Sequence, residues 1–376
     1  MVMIALSGGV DSAVSAWLLK RAGWRVEALF ARNWPDDEYC TARSDLESAL
    51  EIGALLDIPV HQIDMSDAYT SRVFASFLEE HRKGRTPNPD ILCNREIKFD
   101  LMWQYAKRLG ADFLATGHYA RILKRGSEWE LHKGVDPAKD QSYFLCAIKH
   151  EILPRILFPA GHLTKSKVRR IAMEQGFPNH DRPGTSGICF VGERPYADFV
   201  KHYLPALEEG PMYDDQGRLL GKHQGLGCYT IGQRSGLGIG GQKQTSSEPW
   251  YVLDKNPDAN SLIIGQGRNH PRLYHRALIA NSMNWLMDHP PVLPMHCQAS
   301  SRYRQQPSEC MIERAIHDNG EFPVIFDAPQ RALTPGQAVV FYQGSRCLGG
   351  GVIDRLRSPS LHKQLETESL HATHLG

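Results

Sequence analysis

The 376-residue sequence lacks several features that mark membrane and secreted proteins. It contains no run of about 18 apolar residues, so no membrane-spanning helix is expected. The chain does not open with a basic stretch, an apolar stretch and a small-residue cleavage site, so we expect no signal peptide. Its eight cysteines are widely spaced and include no Cys-x-x-Cys pair, which argues against a disulfide framework or a zinc site. These absences favour a reducing, cytoplasmic location.

The chain also has almost no net charge. Lysine and arginine total 43 and aspartate and glutamate total 42, so the overall charge does not indicate a nucleic-acid partner. Two local clusters of basic residues are nevertheless compatible with binding a nucleic-acid phosphate backbone. One has four cations within residues 165–170, and the other has three Arg and two His within 268–276. Each cluster is equally compatible with an ordinary solvated surface. The 17 histidines show no metal-binding spacing such as His-Glu-x-x-His, so no protein metal site is expected.

The pattern of apolar residues changes along the chain. At ~100–200 residues per domain, the length predicts two or three domains. The first half alternates short apolar runs with helical periodicity, which predicts a parallel, doubly wound α/β sheet. Strands are predicted at 2–6, 25–31, 60–64 and 112–116, and helices at 12–21, 42–56, 67–81, 96–109 and 165–175. After about residue 204 short β-like runs predominate, at 227–231, 250–253, 261–265, 295–299, 323–326, 338–342 and 350–353.

A glycine-rich loop follows the first predicted strand and precedes the first predicted helix. Its sequence is Ser7-Gly8-Gly9-Val10-Asp11-Ser12. The glycines let backbone N–H groups approach a phosphate without a Cβ in the way, and the helix N-terminus adds donors and a positive dipole. Asp11 is a candidate ligand for a Mg²⁺ ion held between phosphate oxygens. No Gly-Lys-Ser/Thr ending is present, which excludes a Walker A loop.

Two further segments carry candidate catalytic groups. Two prolines stiffen residues 84–94, and Asp90 and Cys93 lie three apart at a predicted helix start, on one face. A carboxylate can move a proton, and a thiol near a helix N-terminus ionises more easily. Taken singly, each is equally well explained as a helix cap or a packed core thiol. A second candidate thiol, Cys189, lies in another glycine-rich loop and could also be structural.

These motifs together resemble a known family. The glycine-rich loop is similar to the pyrophosphate-binding loop of the N-type ATP pyrophosphatases, which cleave ATP between the α and β phosphates. A longer series resembles the bacterial tRNA-specific 2-thiouridylases: SGGVDS, GRTPNPDILCN, TGHYAR, KDQSYFL, GICFVGER, EPWYV, RYRQ, TPGQAVVFY and CLGGG. The resemblance implies ATP-dependent adenylation of C2 of the wobble uridine, position 34, in tRNAs for Lys, Glu and Gln. Sulfur transfer from a cysteine persulfide then gives 2-thiouridine, AMP and pyrophosphate.

The resemblance also implies roles for individual residues. The residues implied to bind ATP are Ala5, Leu6, Ser7, Gly8, Gly9, Val10, Asp11, Ser12, Ala31 and Gly117. Those implied to line the target base are Asn88, Pro89 and Asp90. Those implied to contact tRNA elsewhere are His118, Lys139, Asp140, Gln141, Arg302, Tyr303 and Gln337. Cys93 and Cys189 would be the catalytic pair, with the persulfide on Cys189, a disulfide left after turnover and Asp90 as general acid/base.

We therefore expect three domains and a tail. Residues 1–204 would form a Rossmann-like ATP-pyrophosphatase domain, 205–271 a small central β-rich domain and 272–356 a tRNA-contacting β-barrel, with 357–376 disordered. ATP with Mg²⁺ is the expected cofactor, and tRNA and a persulfide donor protein of a sulfur relay are the expected partners. Removing the chain from about residue 272 is expected to leave a folded ATPase domain.

Two positions depart from the family pattern. The family usually has Met where Ala31 stands, and Asp-Ser-Thr where this chain reads Gly184-Thr185-Ser186.

Two alternative functions are also compatible with parts of the sequence. One alternative is an amidotransferase or ligase that uses the same loop on a small metabolite. The other is a non-catalytic RNA-binding protein that retains a nucleotide fold. A formal Gly-x-Gly-x-x-Gly match at 236–241 is not followed by a helical pattern, so we interpret it as a loop.

Overall fold

The computed structural model describes residues 1–34, 42–182, 196–204, 207–239, 248–315 and 320–356. Cys189, the departure at 184–186, the end of the 236–241 loop and the predicted tail at 357–376 lie outside these ranges. Within the described ranges, no helix combines the length and the apolar character needed to cross a bilayer.

The first part of the chain folds around a parallel sheet, as predicted. Its strands are β1 (Val2–Ala5), β2 (Val26–Arg32), β3 (Val60–Asp64), β4 (Phe113–Ala115), β5 (Ala120–Arg125), β6 (Glu128–Lys133) and β7 (Ile156–Leu157). Five of these strands form the sheet, in the order β3-β2-β1-β4-β7, and every pairing in it is parallel. The strands β5 and β6 form an antiparallel hairpin that the sequence analysis missed.

Within the described residues, six longer helices accompany these strands, besides short 3-10 turns. They are α1 (Val10–Arg21), α2 (Ala42–Leu55), α3 (66–82), α4 (89–108), α5 (Lys165–Glu174) and α6 (Tyr196–Tyr203). Within α3 and α4, Thr70–Phe74 and Cys93–Met102 have wider π-helical turns. The helix α4 begins at Pro89, in agreement with the helix start predicted at Asp90 and Cys93 and seven residues before the helical pattern at 96–109. The Asn88 side chain accepts a hydrogen bond from the Ile91 amide, and Pro89 occupies the first helical position.

A four-stranded sheet follows. Its strands are β8 (Gly210–Asp214), β9 (Leu219–His223), β10 (Trp250–Asn256) and β11 (Ser261–Gln266), in the order β10-β11-β8-β9. The expected β-rich central domain is therefore present. The strand predicted at 227–231 is wrong, because Leu226–Cys228 form a short 3-10 turn instead. Conversely, β8 and β9 were not predicted, since their glycine and proline content hides the alternation of a strand.

The last part is a closed barrel, as predicted. Its strands are β12 (Tyr274–Trp285), β13 (Met295–Ser300), β14 (Ser308–Ile312), β15 (Phe322–Arg331), β16 (Ala338–Gln343) and β17 (Arg346–Leu356). Neighbouring strands are antiparallel in the order β12-β15-β14-β13-β16-β17, and β17 pairs back with β12 to close the barrel. Inward-facing apolar residues such as Leu278, Val324 and Phe341 fill its interior.

The β5–β6 hairpin joins the first part of the chain to the barrel. Its strand β6 pairs with β17, so the hairpin extends the barrel sheet from outside the barrel domain. Across this junction Arg346 binds Glu128 at 3.0 Å and Glu130 at 2.8 Å. One hydrophobic cluster contains barrel residues such as Val340 together with Leu145 and Ile97 from the first part. A truncation near residue 272 would expose this shared core, so the structure argues against the expectation that such a truncation leaves a folded ATPase domain, which stays a prediction.

The central domain is also tied to the first part, by Lys255 on β10. Its ammonium donates to the Gly84 carbonyl at 2.9 Å and lies 3.5 Å from the Thr86 hydroxyl. His81 and Cys228 are the titratable groups that face it. Burial lowers the pKa of Lys255 to about 7, because the ammonium form loses its hydration there.

This lysine predicts a pH-dependent stability. The unfolded chain, with a lysine pKa of about 10.4, binds more protons than the folded chain above pH 7, so stability rises with pH in that window. The free energy of unfolding of the wild type should rise relative to Lys255→Met by up to about 1 kcal/mol per pH unit between pH 7 and 9. Denaturant unfolding at several pH values measures this difference. The exposed Lys222→Met is the matched control, and parallel pH profiles for wild type and Lys255→Met would contradict the prediction.

Candidate functional site

Two loops meet at the point where the strand order of the parallel sheet reverses. The chain runs from β1 outward to β2 and β3, then returns to place β4 on the other side of β1. In such sheets the crevice at the carboxyl ends of the two diverging strands is the usual ligand site. The glycine-rich loop follows β1 here, and Gly117 follows β4. A Cβ on Gly117 would lie 2.7 Å from the Ser12 amide nitrogen, so the two loops are in direct backbone contact.

Hydrogen bonds within the glycine-rich loop fix its shape. The Ser12 hydroxyl donates to the Gly9 carbonyl at 2.9 Å and accepts from the Ser7 amide at 3.2 Å. Gly9 caps α1 without a side-chain hydrogen bond, so the first helical amides have no side-chain acceptor at the cap. These N–H groups and the helix dipole make the loop suitable for an anion.

Gly8 is the position where the loop requires glycine. Its φ is +75°, and a Cβ there would lie 2.3 Å from the Asp45 carbonyl oxygen. Its own carbonyl accepts hydrogen bonds from the Ser48 hydroxyl at 2.9 Å and the Asn179 amide at 2.8 Å. The loop is therefore held from outside by α2 and by the segment after α5.

Asp11, in the first turn of α1, accepts two hydrogen bonds from other side chains. Its Oδ1 accepts from the Tyr119 hydroxyl and from the Lys165 ammonium, both at 2.6 Å. No hydrogen bond to Oδ2 is found within the described ranges, which leaves that oxygen to a further ligand. The sequence left the cluster at 165–170 as either a solvated surface or a phosphate-contacting one. The solvated-surface alternative is wrong for Lys165, because its ammonium lies at the glycine-rich loop. Lys167 and Arg169 are exposed.

The other candidate residues lie at the start of α4. This helix leads into β4, so its first turn lies toward the carboxyl edge of the sheet, the same edge as the glycine-rich loop. Cys93 is buried, with 4% of its surface exposed. Burial raises the pKa of Asp90, while the charge of Lys98 opposes the shift. A carboxyl group with a raised pKa can exchange a proton closer to neutral pH than an ordinary aspartate.

The segment before α4 is held by the barrel. The Gln337 side chain donates to the carbonyls of Thr86 at 2.9 Å and Pro87 at 3.2 Å. The Thr86 amide donates to the Pro335 carbonyl at 3.0 Å. Arg85 contacts Asp354 of β17 at 3.0 Å. Gln337 was predicted to contact tRNA, and its amide nitrogen is committed to this segment.

The tRNA candidates near Gly117 lie in a hydrogen-bonded turn network. The His118 ring contacts the Thr116 hydroxyl at 2.7 Å, and burial lowers its pKa well below the usual value, so the ring is neutral. Asp140 accepts from the Gly134 amide at 2.9 Å, and Gln141 accepts from the Tyr119 amide at 2.9 Å. The neighbouring Lys139 is partly exposed.

The barrel candidates are partly buried as well. Arg302 donates to the carbonyls of Ile231 at 3.0 Å and Ala332 at 2.6 Å, and burial lowers its pKa. The Tyr303 ring packs 4.5 Å from the Phe144 ring. These two residues therefore join the barrel to the rest of the chain, and their contact with tRNA stays a prediction. Ala31, predicted beside the adenine, lies at the end of β2 and pairs with Ile63.

Comparison with known proteins decides the family. Family models match residues 1–193 (tRNA methyl transferase HUP domain), 197–266 (tRNA methyl transferase PRC-barrel domain) and 275–353 (Aminomethyltransferase beta-barrel domain). The tRNA-specific 2-thiouridylase MnmA of Hahella chejuensis is 51% identical, over 94% of this chain and 97% of its own length. The enzyme of the same name from Pseudomonas aeruginosa is 49% identical, over 94% of each chain. This chain belongs to the tRNA-specific 2-thiouridylase family.

Solved structures show weaker likeness. A 4-thiouridine synthetase in complex with RNA and ATP is 17% identical, with a TM-score of 0.36 over 54% of this chain and 50% of that chain. An NMN synthetase from Francisella tularensis is 19% identical, with a TM-score of 0.30 over 55% of this chain and 76% of that chain. At these TM-scores the likeness is too weak to assign any residue role in this 2-thiouridylase family member.

Sequence reasoning missed several residues that shape the site of this 2-thiouridylase family member. Tyr119 and Lys165 hold Asp11, while Ser48 and Asn179 hold the Gly8 carbonyl. Tyr119 stands two residues after Gly117, so its place in TGHYAR was a usable signal. The other three lie far away in sequence, and no local pattern links them to the loop.

Gly8 yields a matched pair of substitutions. Gly23 also has a positive φ, +82°, but a Cβ there would meet nothing within 4 Å. Gly23→Ala should cost about 1 kcal/mol of stability from backbone strain alone. Gly8→Ala should cost at least about 2 kcal/mol more and should abolish ATP turnover, because the new Cβ collides with the Asp45 backbone. Denaturant unfolding and pyrophosphate release measure the two effects, and equal behaviour of the two variants would contradict the assigned role of Gly8.

Proposed function

We propose that this chain uses ATP to adenylate C2 of uridine 34 of tRNA and then replaces the C2 oxygen with sulfur. The full-length relatives support this activity, because they match almost the whole chain and are named for it. The observation that carries the proposal is the anion-binding loop at the carboxyl edge of the sheet. The direction of α4 into β4 supports placing its first turn, with Asp90 and Cys93, toward the same edge. We propose tRNAs for Lys, Glu and Gln as substrates, a persulfide-carrying protein as sulfur donor, and the cytoplasm as location.

In the adenylation step, the loop Ser7–Ser12 holds the phosphates of ATP through its N–H groups and hydroxyls. Asn88, Pro89 and Asp90 receive the uridine, which is extruded from the base stack. The C2 oxygen attacks the α-phosphorus, the bond to the β-phosphate breaks, and pyrophosphate leaves. A Mg²⁺ ion bound with ATP would be held by Asp11, whose Oδ2 remains available, and would neutralise charge on the leaving pyrophosphate.

In the sulfur step, the terminal sulfur of the Cys189 persulfide attacks the activated C2, and the C2–O bond breaks to release AMP. The Cys93 thiolate then attacks Sγ of Cys189, which breaks the sulfur–sulfur bond, leaves sulfur on the base as 2-thiouridine and forms a Cys93–Cys189 disulfide. A thiol reductant must reduce this disulfide before the next turnover. Asp90 is proposed to move the proton at the base, for which its raised pKa is suitable.

A pyrophosphate-release assay tests the proposal. Release should require both ATP and a substrate tRNA, and Asp11→Asn should reduce it by about 100-fold or more, since Asp11 serves the phosphates and the metal ion. The variant should bind tRNA with wild-type affinity, measured by filter binding. Release driven by a small amide or carboxylate without tRNA would indicate the metabolite-ligase alternative. Binding of tRNA without any release would indicate a non-catalytic RNA-binding protein.

Peptide mass spectrometry tests the proposed roles of the two cysteines. After incubation with a persulfide donor, Cys93→Ser should carry one extra sulfur atom on the Cys189 peptide and should not turn over. Cys189→Ser should gain no sulfur and produce no 2-thiouridine. Wild-type enzyme without reductant should stall with a Cys93–Cys189 disulfide. The buried Cys310→Ser is a control that removes a thiol elsewhere. Sulfur found on Cys93 in the Cys189→Ser protein would reverse the roles.

A further inference from the structure

We propose that Asn94 is a positioning residue, which holds the neighbouring Cys93 and ties it to the glycine-rich loop through the segment 141–144, here called the strap. The inference rests on the proposed function and adds a dependence to it: the reactivity of the Cys93 thiol changes when a nucleotide occupies the loop. In this role Asn94 acts through Cys93, which directly precedes it in α4.

The Asn94 side chain joins α4 to the strap. It is buried, with 2% of its surface exposed, and its Nδ2 donates to the Phe144 carbonyl at 2.9 Å, 50 residues away in sequence. No hydrogen bond to its Oδ1 is found within the described residues. A buried acceptor without a partner costs about 1–3 kcal/mol, so an apolar side chain would serve packing at least as well. The contribution of the amide is therefore its bond to the strap.

The other end of the strap reaches the nucleotide loop. Gln141 and Tyr119 are paired twice, since the Gln141 amide donates to the Tyr119 carbonyl at 2.8 Å and the Tyr119 amide donates to Gln141 Oε1 at 2.9 Å. Within the strap, the Phe144 amide donates to the Gln141 carbonyl at 3.0 Å. The Tyr119 hydroxyl donates to Asp11 at 2.6 Å. A continuous series of hydrogen bonds therefore runs from Asp11 to Asn94.

The strap is also packed firmly between these two ends. The Ser142 hydroxyl donates to Asp140 at 2.9 Å, and the Tyr143 hydroxyl donates to the Ala338 carbonyl of the barrel at 3.0 Å. Both Ser142 and Tyr143 are buried. A packed segment with its polar groups paired passes a displacement on to its neighbours and does not absorb it, because interiors leave little free volume.

The start of the π-helical stretch makes the thiol sensitive to this contact. Cys93 is the first residue of Cys93–Met102, where backbone bonds span five residues instead of four. Such turns are rare and are frequent at functional sites. The bond from Asn94 to Phe144 fixes the backbone one residue from the thiol. A displacement of a reacting group by about 1 Å can lower a rate by about 100-fold, so this bond matters for the sulfur step.

Alkylation of Cys93 by iodoacetamide, read by peptide mass spectrometry on the full chain, tests the inference. ATP with Mg²⁺ should slow alkylation of the wild type by about five-fold or more, because an occupied loop fixes the strap and limits the local opening that a buried thiol needs. In Asn94→Leu, which lacks the bond to Phe144, the rates with and without ATP should differ by less than about two-fold. No tRNA is present, so the proposed tRNA contact of Gln141 does not enter.

Control variants make the result specific. Gln104→Leu removes an exposed amide of the same helix, whose side chain donates to Asp100 at 2.9 Å, and should behave like the wild type. Gln141→Leu cuts the other end of the strap and should lose the ATP effect as Asn94→Leu does. Isothermal titration calorimetry should show that Asn94→Leu binds ATP like the wild type. Asn94→Ala, which cannot overfill the site, replaces the Leu variant if that variant does not fold.

Formation of 2-thiouridine gives a second readout. The kcat of Asn94→Leu should fall by about 10-fold or more while the KM for ATP changes by less than about two-fold, since the thiol is displaced and the loop is not. A purely structural asparagine would lower Tm and leave kcat and the ATP effect of the folded protein unchanged, which would contradict the inference. Slowing by ATP that persists in Asn94→Leu would indicate direct shielding of the thiol and would also overturn it. If the wild type binds ATP and forms no 2-thiouridine, the proposed function fails, and the alkylation rates still decide the role of Asn94.

Discussion

The backbone of residues 84–87 is hydrogen-bonded from both downstream domains, and the position of the α4 helix start depends on this. Lys255 of the central sheet donates to the Gly84 carbonyl, and Gln337 of the barrel loop donates to the carbonyls of Thr86 and Pro87. Asn88 then caps the helix that begins with Pro89. Because Asp90 and Cys93 occupy the first turns after this segment, their placement is decided by three domains together and not by the α/β domain alone.

The same constraint explains why the domains share a core. A loop held only by its own domain could shift by an ångström at little cost, and such a shift is enough to misplace a reacting group. Here the β5–β6 hairpin extends the barrel sheet through β17, and Arg346 binds two glutamates of that hairpin. Apolar residues from both ends of the chain pack in one cluster. The barrel is thus a structural part of the catalytic half, in addition to any contact it makes with tRNA.

The sequence predicted what local patterns encode and missed what distant residues decide. The strand at 60–64 and the parallel sheet followed from apolar periodicity, and the glycine-rich loop from its position between strand and helix. The β5–β6 hairpin and its barrel partner are about two hundred residues apart, as His132 and Ser345 show, so no local pattern reveals the pairing. Lys165 was misinterpreted for the same reason. Its partner, Asp11, is 154 residues away, so the local sequence shows only a cluster of cations that is typical of a solvated surface.

The two ends of the site are therefore built differently. The proposed phosphate end is formed within the α/β domain, by the loop after β1, by Gly117 and by the Asp11–Tyr119–Lys165 group. The proposed base end, at the start of α4, depends on residues of all three domains. Changes in the barrel should therefore disturb the positioning of the base before they disturb nucleotide binding. Because the barrel is also the part proposed to contact tRNA, RNA binding and assembly of the base pocket are coupled through the same backbone segment, 84–87.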